Sequence, residues 1–258
     1  MSYPAKKSLG QHFLIDQNIA KKIVDSISFN GEYNHLLEVG PGKGALTEHL
    51  LKLNPILYSA VEIDQNLINQ LKVKFPGIHI IQKDILKSEL SDFPPSPFGL
   101  IGNFPYNISS QILFKVLEFR DNIPEVVGMF QKEVAERICS APCSKIYGIL
   151  SVLISAFYKR TYLFNVSENV FSPQPKVQSA VIRLERNFKD DPKCNISLFF
   201  KIVKTAFGQR RKILNNSLSV YNLPKEHPLL RKRAEQLSVN DFVELTHFVS
   251  EYQDEIKS

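Results

Sequence analysis

The segment Asn103-Phe104-Pro105-Tyr106 carries the groups best suited to chemistry on a planar amine. Asn103 has a side-chain carbonyl that accepts hydrogen bonds, and Pro105, which lacks an N–H, offers only its backbone carbonyl. Tyr106 adds a flat ring face. Two acceptors on the hydrogens of an exocyclic amine favour a pyramidal nitrogen whose lone pair attacks a sulfonium methyl in line, so this chemistry needs orientation rather than a strong base. Taken alone, the segment also fits a proline turn with an exposed tyrosine.

A glycine-rich segment upstream predicts a pocket for a nucleoside. Residues 40–45, Gly-Pro-Gly-Lys-Gly-Ala, fit the pattern G-x-G-x-x-[G/A] between a predicted strand and a predicted helix, where glycines let the backbone approach a ligand. Glu62 lies 22 residues beyond Gly40, and a carboxylate there can accept hydrogen bonds from both ribose hydroxyls. The pattern does not separate a nicotinamide cofactor from S-adenosylmethionine, because both contain adenosine. A tight turn with a surface glutamate is the alternative.

Four candidate residues follow four predicted strands that alternate with predicted helices. Such alternation with short connections is typical of a parallel sheet covered on both faces, which binds ligands at the carboxyl ends of its strands. Gly40, Glu62, Asp84 and Asn103 each lie at or just past such an end, and Asp84 is placed to accept a hydrogen bond from an adenine amine. The predicted strands cover residues 35–39, 56–63, 79–82 and 98–101. The helices predicted after them cover residues 46–53, 67–75 and 108–119.

The pattern changes after about Arg186 to helices with no strands between them. Apolar periodicity predicts helices over residues 195–207, 210–221 and 239–252, and Asp190-Asp191-Pro192 is typical of a linker. We therefore predict an α/β domain over residues 1–188 and a small all-helical C-terminal domain over residues 189–258. The apolar stretch over residues 147–157, within the first domain, predicts a buried helix.

The C-terminal region also holds a concentrated basic block. Between Lys193 and Arg233, ten lysines and arginines accompany a single acid, whereas the whole chain has a net charge of only +6. Such a concentration indicates a polyanionic partner, although charge alone favours a solvated helical face equally. The candidates for phosphate contacts are Arg210, Arg211, Lys212, Arg231, Lys232 and Arg233, with Lys6 and Lys7 as lesser ones.

Composition excludes several classes of protein. The chain has 258 residues, of which 43% are hydrophobic and 22% charged, which is ordinary globular composition rather than that of a disordered chain. Its three cysteines are odd in number and form no C-x-x-C pair, so neither a disulfide framework nor a metal site is predicted, and reduced thiols favour the cytosol. No signal peptide and no apolar run of about eighteen residues is present, so no membrane association is expected.

Several segments, in order along the chain, resemble the family of small-subunit ribosomal RNA adenine dimethyltransferases, the KsgA/RsmA type. The resemblance covers about residues 6–220. Three positions depart from the usual pattern: Phe104 stands where leucine is usual, His12 where many members have asparagine, and Gln178 where aspartate is frequent. The matching segments are 7–14, 38–44, 103–106, 131–135, 147–148, 171–180 and 207–212, and the last resembles the family's basic helix.

The resemblance implies a Rossmann-like methyltransferase sheet of seven strands, the last antiparallel, with a helical C-terminal RNA-binding domain and an N-terminal segment that folds over the cofactor. It implies methyl transfer from S-adenosylmethionine to N6 of two adjacent adenosines near the 3′ end of small-subunit (16S) RNA. The implied cofactor contacts are His12, Leu14, Gly40, Gly42, Glu62, Asp84 and Asn103. The implied catalytic residues are Asn103, Pro105, Tyr106 and Phe171.

Phe171 has two interpretations. Composition alone favours a core aromatic. Its position before Ser-Pro-Gln-Pro predicts a rigid loop instead, in which, as the family implies, the ring faces Tyr106 and sandwiches the target base.

We therefore predict an enzyme, an S-adenosylmethionine-dependent rRNA adenine dimethyltransferase that acts as a cytoplasmic monomer on a 30S precursor. One alternative is a related enzyme of the macrolide-resistance type, which acts on large-subunit RNA; the helical domain and residues 171–180 argue against it. Another is a non-catalytic assembly factor that binds rRNA; the intact segment 103–106 argues against it. A nicotinamide oxidoreductase is the weakest alternative, because no segment of the sequence resembles a hydride-relay site.

Overall fold

A computed structural model describes residues 10–29, 31–53, 57–94 and 97–257, without the side chains of the last two. Its strands are β1 Phe13–Leu14, β2 His35–Val39, β3 Leu57–Glu62, β4 Ile80–Gln82, β5 Gly99–Asn103, β6 Glu125–Gln131, β7 Tyr158–Val166, β8 Phe171–Ser172 and β9 Ser179–Arg186. Its α-helices are α1 Gln17–Val24, α2 Thr47–Leu50, α3 Gln65–Lys74, α4 Ser109–Glu118, α5 Lys132–Cys139, α6 Ile149–Phe157, α7 Ile196–Gly208, α8 Leu214–Ser217 and α9 Val239–Lys257.

The central sheet has seven strands in the order β4-β3-β2-β5-β6-β9-β7. Strands β4, β3, β2, β5 and β6 run parallel, and β9 is antiparallel to β6. The chain order reverses between β2 and β5, which in an open α/β sheet leaves a crevice at the carboxyl ends of these strands. This sheet confirms the predicted Rossmann-like fold.

The inner strands are buried on both faces, because apolar side chains follow one another along them. In β2, Leu36, Leu37 and Val39 are all at most 3% exposed, and six of the seven residues of β6 are buried. Such near-continuous apolar runs are typical of parallel strands covered by helices on both sides. The polar residues at the ends of these strands are therefore positioned by strands that are themselves buried.

Side-chain caps fix where several helices begin. The Asp16 carboxylate accepts the N–H groups of Asn18 and Ile19 at 2.8 and 3.0 Å and so begins α1. Asp64 and Asn195 cap α3 and α7 in the same way. Such caps satisfy N–H groups that have no partner within the helix.

A separate two-stranded sheet holds the N-terminal segment. Strand β1 pairs antiparallel with β8, so that Phe13 lies opposite Ser172 and Leu14 opposite Phe171. The Ile15 N–H extends the pairing to the Val170 carbonyl at 2.9 Å. This pairing anchors residues 11–15.

The chain forms two compact units. One contains the described residues up to Ala135 together with Arg160–Arg186; the other contains Glu136–Lys159 and the described residues from Asn187 onward. The second unit therefore includes α6, which the sequence places in the first domain. The reason is burial, since almost all of this apolar helix is inaccessible to solvent and it packs on α7 and α9.

Two predicted helices are shorter than their sequence patterns indicate. The prediction over residues 210–221 is wrong in extent: α7 ends at Gly208, residues 209–212 form a turn, and only Leu214–Ser217 is α-helical before a 3-10 turn at Ser219–Tyr221. The segment that resembles a basic helix is thus mostly a turn. The helix predicted over 46–53 covers only Thr47–Leu50, and Ile56, the predicted start of β3, lies outside the described residues.

Within the described part of the chain, none of the helices combines the length and apolarity that a membrane crossing requires. The same residues include no cluster of three or more His, Cys, Asp or Glu placed to hold a metal ion.

Candidate active site

A cavity of about 330 Å³ lies at the carboxyl ends of β2, β3 and β5, beside β1. It belongs entirely to the first unit. The strand-end residues that the sequence selects meet here, as expected for parallel strands that end at one edge of a sheet. The predicted residues that line the cavity are His12, Leu14, Gly40, Gly42, Glu62, Asp84, Asn103, Pro105 and Tyr106.

The glycine loop after β2 leaves room for a ligand. Gly40 has φ +66°, and a Cβ atom built there would meet no atom of the described residues within 4 Å. Gly42 has φ +58°, and a Cβ atom there would lie 3.1 Å from the Phe13 ring. Only glycine adopts these conformations without strain. Because Gly40 has no side chain, the backbone of the loop is directly accessible from the cavity at this position.

Glu62 is held in place by backbone donors. One carboxylate oxygen accepts the N–H groups of Ile63 and Asp64, both at 2.9 Å, and the other accepts the Gly42 N–H at 3.4 Å. The residue is 7% exposed, and burial raises its pKa while these three donors oppose the rise. The second oxygen has a lone pair left for a ligand hydroxyl.

Glu38 is a buried carboxyl that the sequence analysis does not select as a site residue. It is 1% exposed, lines the cavity, and accepts hydrogen bonds from the hydroxyls of Thr47 and Tyr58 at 2.7 and 2.5 Å. Burial raises its pKa to about 7, and the nearby Glu62 carboxylate acts in the same direction. The feature of the sequence that points to Glu38 is a single acid within the apolar strand Leu-Leu-Glu-Val.

Asn103 ends β5 with a defined amide orientation. Its Nδ2 donates to the backbone carbonyl of His12 at 3.0 Å. A carbonyl only accepts hydrogen bonds, so the NH2 side of the amide must face it. The Asn103 Oδ1 acceptor is consequently available to a donor in the cavity.

The carbonyls that follow Asn103 are not equally available. The Pro105 carbonyl accepts the Ile108 N–H at 3.1 Å in the turn before α4. The Phe104 carbonyl, one residue earlier, accepts no hydrogen bond from the described residues. A carbonyl oxygen has two lone pairs, so Pro105 retains one for a ligand and Phe104 retains both.

The Phe104 ring fits its position because the neighbouring strands carry glycine there. The ring is fully buried and packs edge-on against Phe130, with centroids 5.1 Å apart. A Cβ atom at Gly102 would lie 2.8 Å from it, and one at Gly128 would collide with it. These two glycines explain how the phenylalanine is accommodated where leucine is usual.

Tyr106 and His12 form a stacked pair in the cavity wall. Their ring centroids lie 5.4 Å apart, with 27° between the ring planes. The Tyr106 hydroxyl bonds to the Ser179 hydroxyl at 2.6 Å, and burial raises the pKa of the phenol, which keeps it neutral. His12 Nδ1 lies 2.8 Å from the Pro173 carbonyl and must carry a proton there. A flat aromatic surface is therefore present, with His12 covering one face of Tyr106.

Asp84 and Leu14 complete the predicted cofactor side. Asp84 caps the 3-10 turn Ile85–Lys87, where one carboxylate oxygen accepts the Leu86 N–H at 3.0 Å. The other oxygen can accept a ligand amine. Leu14 is 5% exposed and adds an apolar wall from β1.

Phe171 is not brought to the cavity. It is 3% exposed and packs in the hydrophobic core with Leu14, Ile23 and Val181. Pairing of β8 with β1 holds it there. The core position that composition favours is therefore the observed one, and the predicted sandwich of Tyr106 and Phe171 is not formed.

The basic residues lie in the second unit, and a β-bridge joins their two groups. Ile213 pairs antiparallel with Arg233, and the Leu214 N–H bonds to the Lys232 carbonyl at 2.8 Å. Arg210 is committed elsewhere, since its guanidinium bonds to Glu235 at 2.7 Å and to the Ser144 carbonyl at 3.3 Å. The exposed members, which we call the basic surface, are Arg211, Lys212, Arg231, Lys232 and Arg233. Lys6 and Lys7 lie outside the described residues.

Comparisons of the sequence with a family model and with known proteins give similar proteins of one kind over most of the chain. The family model described as ribosomal RNA adenine dimethylase matches residues 3–252. The "Ribosomal RNA small subunit methyltransferase A" of Cytophaga hutchinsonii is 53% identical over 251 residues, which cover 95% of this chain and 97% of that protein.

Two solved structures are similar over 91% of the chain. A dimethyladenosine transferase from Plasmodium falciparum has 26% identity and a TM-score of 0.76, with 96% of its chain covered. The 23S rRNA methyltransferase ErmE has 25% identity and a TM-score of 0.63, with 99% covered.

Proposed function

The chain belongs to the ribosomal RNA adenine dimethylase family, and from this membership we propose that the cavity at the ends of β2, β3 and β5 is its methyl-transfer site. The protein is an S-adenosylmethionine-dependent enzyme that dimethylates adenines in ribosomal RNA. Its RNA is that of the small subunit, because identity is 53% to a small-subunit enzyme and 25% to a 23S enzyme. The observation that carries the site assignment is the Asn103 amide, whose acceptor is left available by the His12 carbonyl.

This specificity can be tested by offering both subunits. We expect the protein to transfer labelled methyl groups from S-adenosylmethionine to small subunits that lack the modification, and to leave large subunits unlabelled. Label on the large subunit alone would favour the macrolide-resistance type instead.

The residues around the glycine loop fit the adenosine part of the cofactor. Gly40 leaves the loop backbone open, the Glu62 carboxylate is oriented to accept ribose hydroxyls, and Asp84 has an oxygen for the adenine amine. His12, Leu14 and Gly42 complete this side of the cavity. When bound, S-adenosylmethionine supplies a methyl group activated by its sulfonium charge.

The end of β5 prepares the target amine. Asn103 Oδ1 and a backbone carbonyl, that of Phe104 or Pro105, accept its two hydrogens. The nitrogen lone pair would then face the methyl group. The new nitrogen–carbon bond would form as the methyl–sulfur bond breaks, which would leave S-adenosylhomocysteine, and the amine would lose one proton to solvent. Acceptors that are positioned before the reaction need no reorganisation during it, so they stabilise the transition state more than the ground state.

The stacked pair of Tyr106 and His12 takes the place that the resemblance assigns to Tyr106 and Phe171. His12 covers one face of the Tyr106 ring, with the ring centroids 5.4 Å apart, so a base stacks on the opposite face or displaces the His12 ring. We assign Tyr106 as the platform for the flipped adenine.

We expect Tyr106→Ala to weaken capture of the target adenine by about 1–3 kcal/mol, which is the usual worth of stacking one base on an aromatic ring. Steady-state kinetics with unmethylated small subunits would show this as a higher KM. Tyr106→Phe is the matched control, since it keeps the ring and loses only the bond to Ser179. Equal losses in both variants would contradict the stacking role.

The basic surface is proposed to hold the phosphate backbone of the RNA. Its five side chains are exposed. The bridge at Ile213 joins the two segments of the backbone that carry them. Phosphate contacts position an RNA without reading its sequence. We therefore propose the second unit as the RNA-binding part of the enzyme.

Replacing Arg211 and Lys212 with glutamine is expected to flatten the salt dependence of binding to small subunits. Each lost phosphate contact changes the slope of log K against log salt by about 0.7–0.9. Filter binding at several salt concentrations measures this slope. Lys201→Gln, an exposed change on α7 outside the basic surface, should leave it unchanged. An unaltered slope in the double variant would indicate that these residues do not contact phosphates and form an ordinary solvated face.

We also propose the finer features of the partner. The substrate is a 30S precursor that still lacks the methyl groups, and the enzyme acts on it as a monomer in the cytoplasm, where such precursors are assembled. The support is the family membership.

A further inference from the structure

The second unit contains a cavity of its own, of about 290 Å³. It lies between α8, the 3-10 turn Ser219–Tyr221 and the 3-10 turn Pro228–Arg231. Leu218 and Leu230, both at most 1% exposed, give it an apolar floor. The polar residues around it are Asn215, Asn216, Ser219, Asn222 and Lys225.

The side chains of this cavity match the edge and face of a nucleobase. Each of its three asparagine amides offers both donors and an acceptor, as the hydrogen-bonding edges of bases require. The amides of Asn215, Asn216 and Asn222 make no hydrogen bond to the described residues, so they are available to a ligand. The volume is at the lower end of the range for ligand pockets, which suits a single base rather than a larger ligand.

The cavity and the basic surface are carried by the same two stretches of the chain. Asn215 directly follows Leu214, whose N–H bonds to the Lys232 carbonyl, and Leu230 directly precedes Arg231. An RNA strand whose phosphates lie on these cations would therefore run close to the cavity. Sequence-selective contacts to RNA are made mainly to unpaired bases that leave the stack, so the cavity and the cations have complementary roles.

We propose that this cavity receives one unpaired nucleobase of the small-subunit RNA, held by the amides of Asn215, Asn216 and Asn222, and so recognises the substrate away from the methyl-transfer site. The inference rests on the proposed function, because it takes ribosomal RNA as the partner. It adds a base-reading contact to the phosphate contacts of the basic surface.

The first test compares affinity with salt dependence. The double substitution Asn215→Leu, Asn216→Leu should lower affinity for unmethylated small subunits about tenfold at every salt concentration without changing the slope, because no phosphate contact is lost. Asn240→Leu, an exposed change on α9, is the matched control and should alter neither quantity. Unchanged affinity in the double variant, or an equal loss in the control, would overturn the proposal. If the double variant unfolds, Asn216→Leu alone, at an exposed position, replaces it.

The second test identifies the base. Probing of particles bound to the wild type with dimethyl sulfate for adenine and cytosine, and with a carbodiimide for uracil and guanine, should reveal one base that becomes protected. This protection should disappear with the double variant and persist with Asn240→Leu. The same protection in every complex would place that base elsewhere and contradict the assignment. Methyl transfer at saturating particle concentration should stay within about twofold of wild type, because the methyl-transfer cavity is untouched. Failure of wild-type protein to bind or methylate small subunits would instead contradict the proposed function itself.

Discussion

Asn103→Ala is expected to lower kcat by about 10²–10³-fold, the usual cost of removing one preorganised group that stabilises a transition state. The lost acceptor acts on the target amine while its nitrogen changes geometry, so the loss falls on the chemical step. The cofactor should bind within a few-fold of normal, because the Glu62 and Asp84 carboxylates remain. Single-turnover methylation of small subunits, with calorimetry for the cofactor, separates the two effects.

Asn107→Ala provides the matched control for this change. Asn107 lines the same cavity four residues further along the chain, and it does not end a strand. We expect this variant to stay within a few-fold of wild type. Methyl transfer by Asn103→Ala at a similar rate would show that the Asn103 acceptor is not used in the reaction.

Glu62→Ala is expected to weaken binding of S-adenosylmethionine by about 1–3 kcal/mol, which is a loss of roughly 5- to 150-fold. The physical reason is that ribose hydroxyls would be left without an acceptor in a partly closed cavity. Affinity for small subunits should stay near normal, because the basic surface belongs to the other unit. Calorimetry with the cofactor and filter binding with particles measure the two affinities.

Glu118→Ala serves as the control, because this glutamate is exposed on α4 and does not line the cavity. Circular dichroism establishes whether Glu62→Ala is folded, since Glu62 also accepts three backbone N–H groups. Normal cofactor binding by a folded Glu62→Ala would exclude the proposed ribose contact.

The same carboxylate predicts a dependence on pH. Burial raises the Glu62 pKa, so its proton returns at a higher pH than for an exposed glutamate. Protonation turns one carboxylate oxygen into a donor and weakens the carboxyl as an acceptor, so the affinity for S-adenosylmethionine should fall as the pH is lowered towards this raised pKa. Calorimetry from about pH 8 to pH 4 would show the decrease in the wild type and not in Glu62→Ala, and this comparison separates Glu62 from Glu38, which lines the same cavity and has a pKa raised to about 7. A constant affinity over this range would indicate that Glu62 is not in contact with the ligand.

Much of the candidate site could be predicted because its residues follow buried strands. Gly40, Glu62, Asp84 and Asn103 are polar or glycine residues directly after apolar runs, and parallel strands bring such ends to one edge. Their individual roles are less visible in the sequence. The orientation of Asn103 depends on the carbonyl of His12, which is 91 residues away in the chain.

The features that could not be predicted depend on tertiary contacts. Phe171 precedes a Ser-Pro-Gln-Pro segment that is typical of a loop, yet β8 pairs with β1 and the ring is buried. In the sequence Arg210 is one of several adjacent basic residues, but in the structure its guanidinium forms an ion pair with Glu235. Residues 209–212 continue an apparent helical pattern, although Gly208 ends α7 and the bridge at Ile213 redirects the chain.

Analysis of the methylated nucleosides tests the central claim most directly. Small subunits that lack the modification would be incubated with the protein and S-adenosylmethionine, and their RNA would then be digested and examined by mass spectrometry, with reverse-transcription stops to locate the product. We predict N6,N6-dimethyladenosine at two adjacent positions near the 3′ end of the RNA, and none when Asn103→Ala replaces the wild type for the same time. Particles that bind the wild-type protein but yield no dimethyladenosine would contradict the account and favour a non-catalytic assembly factor.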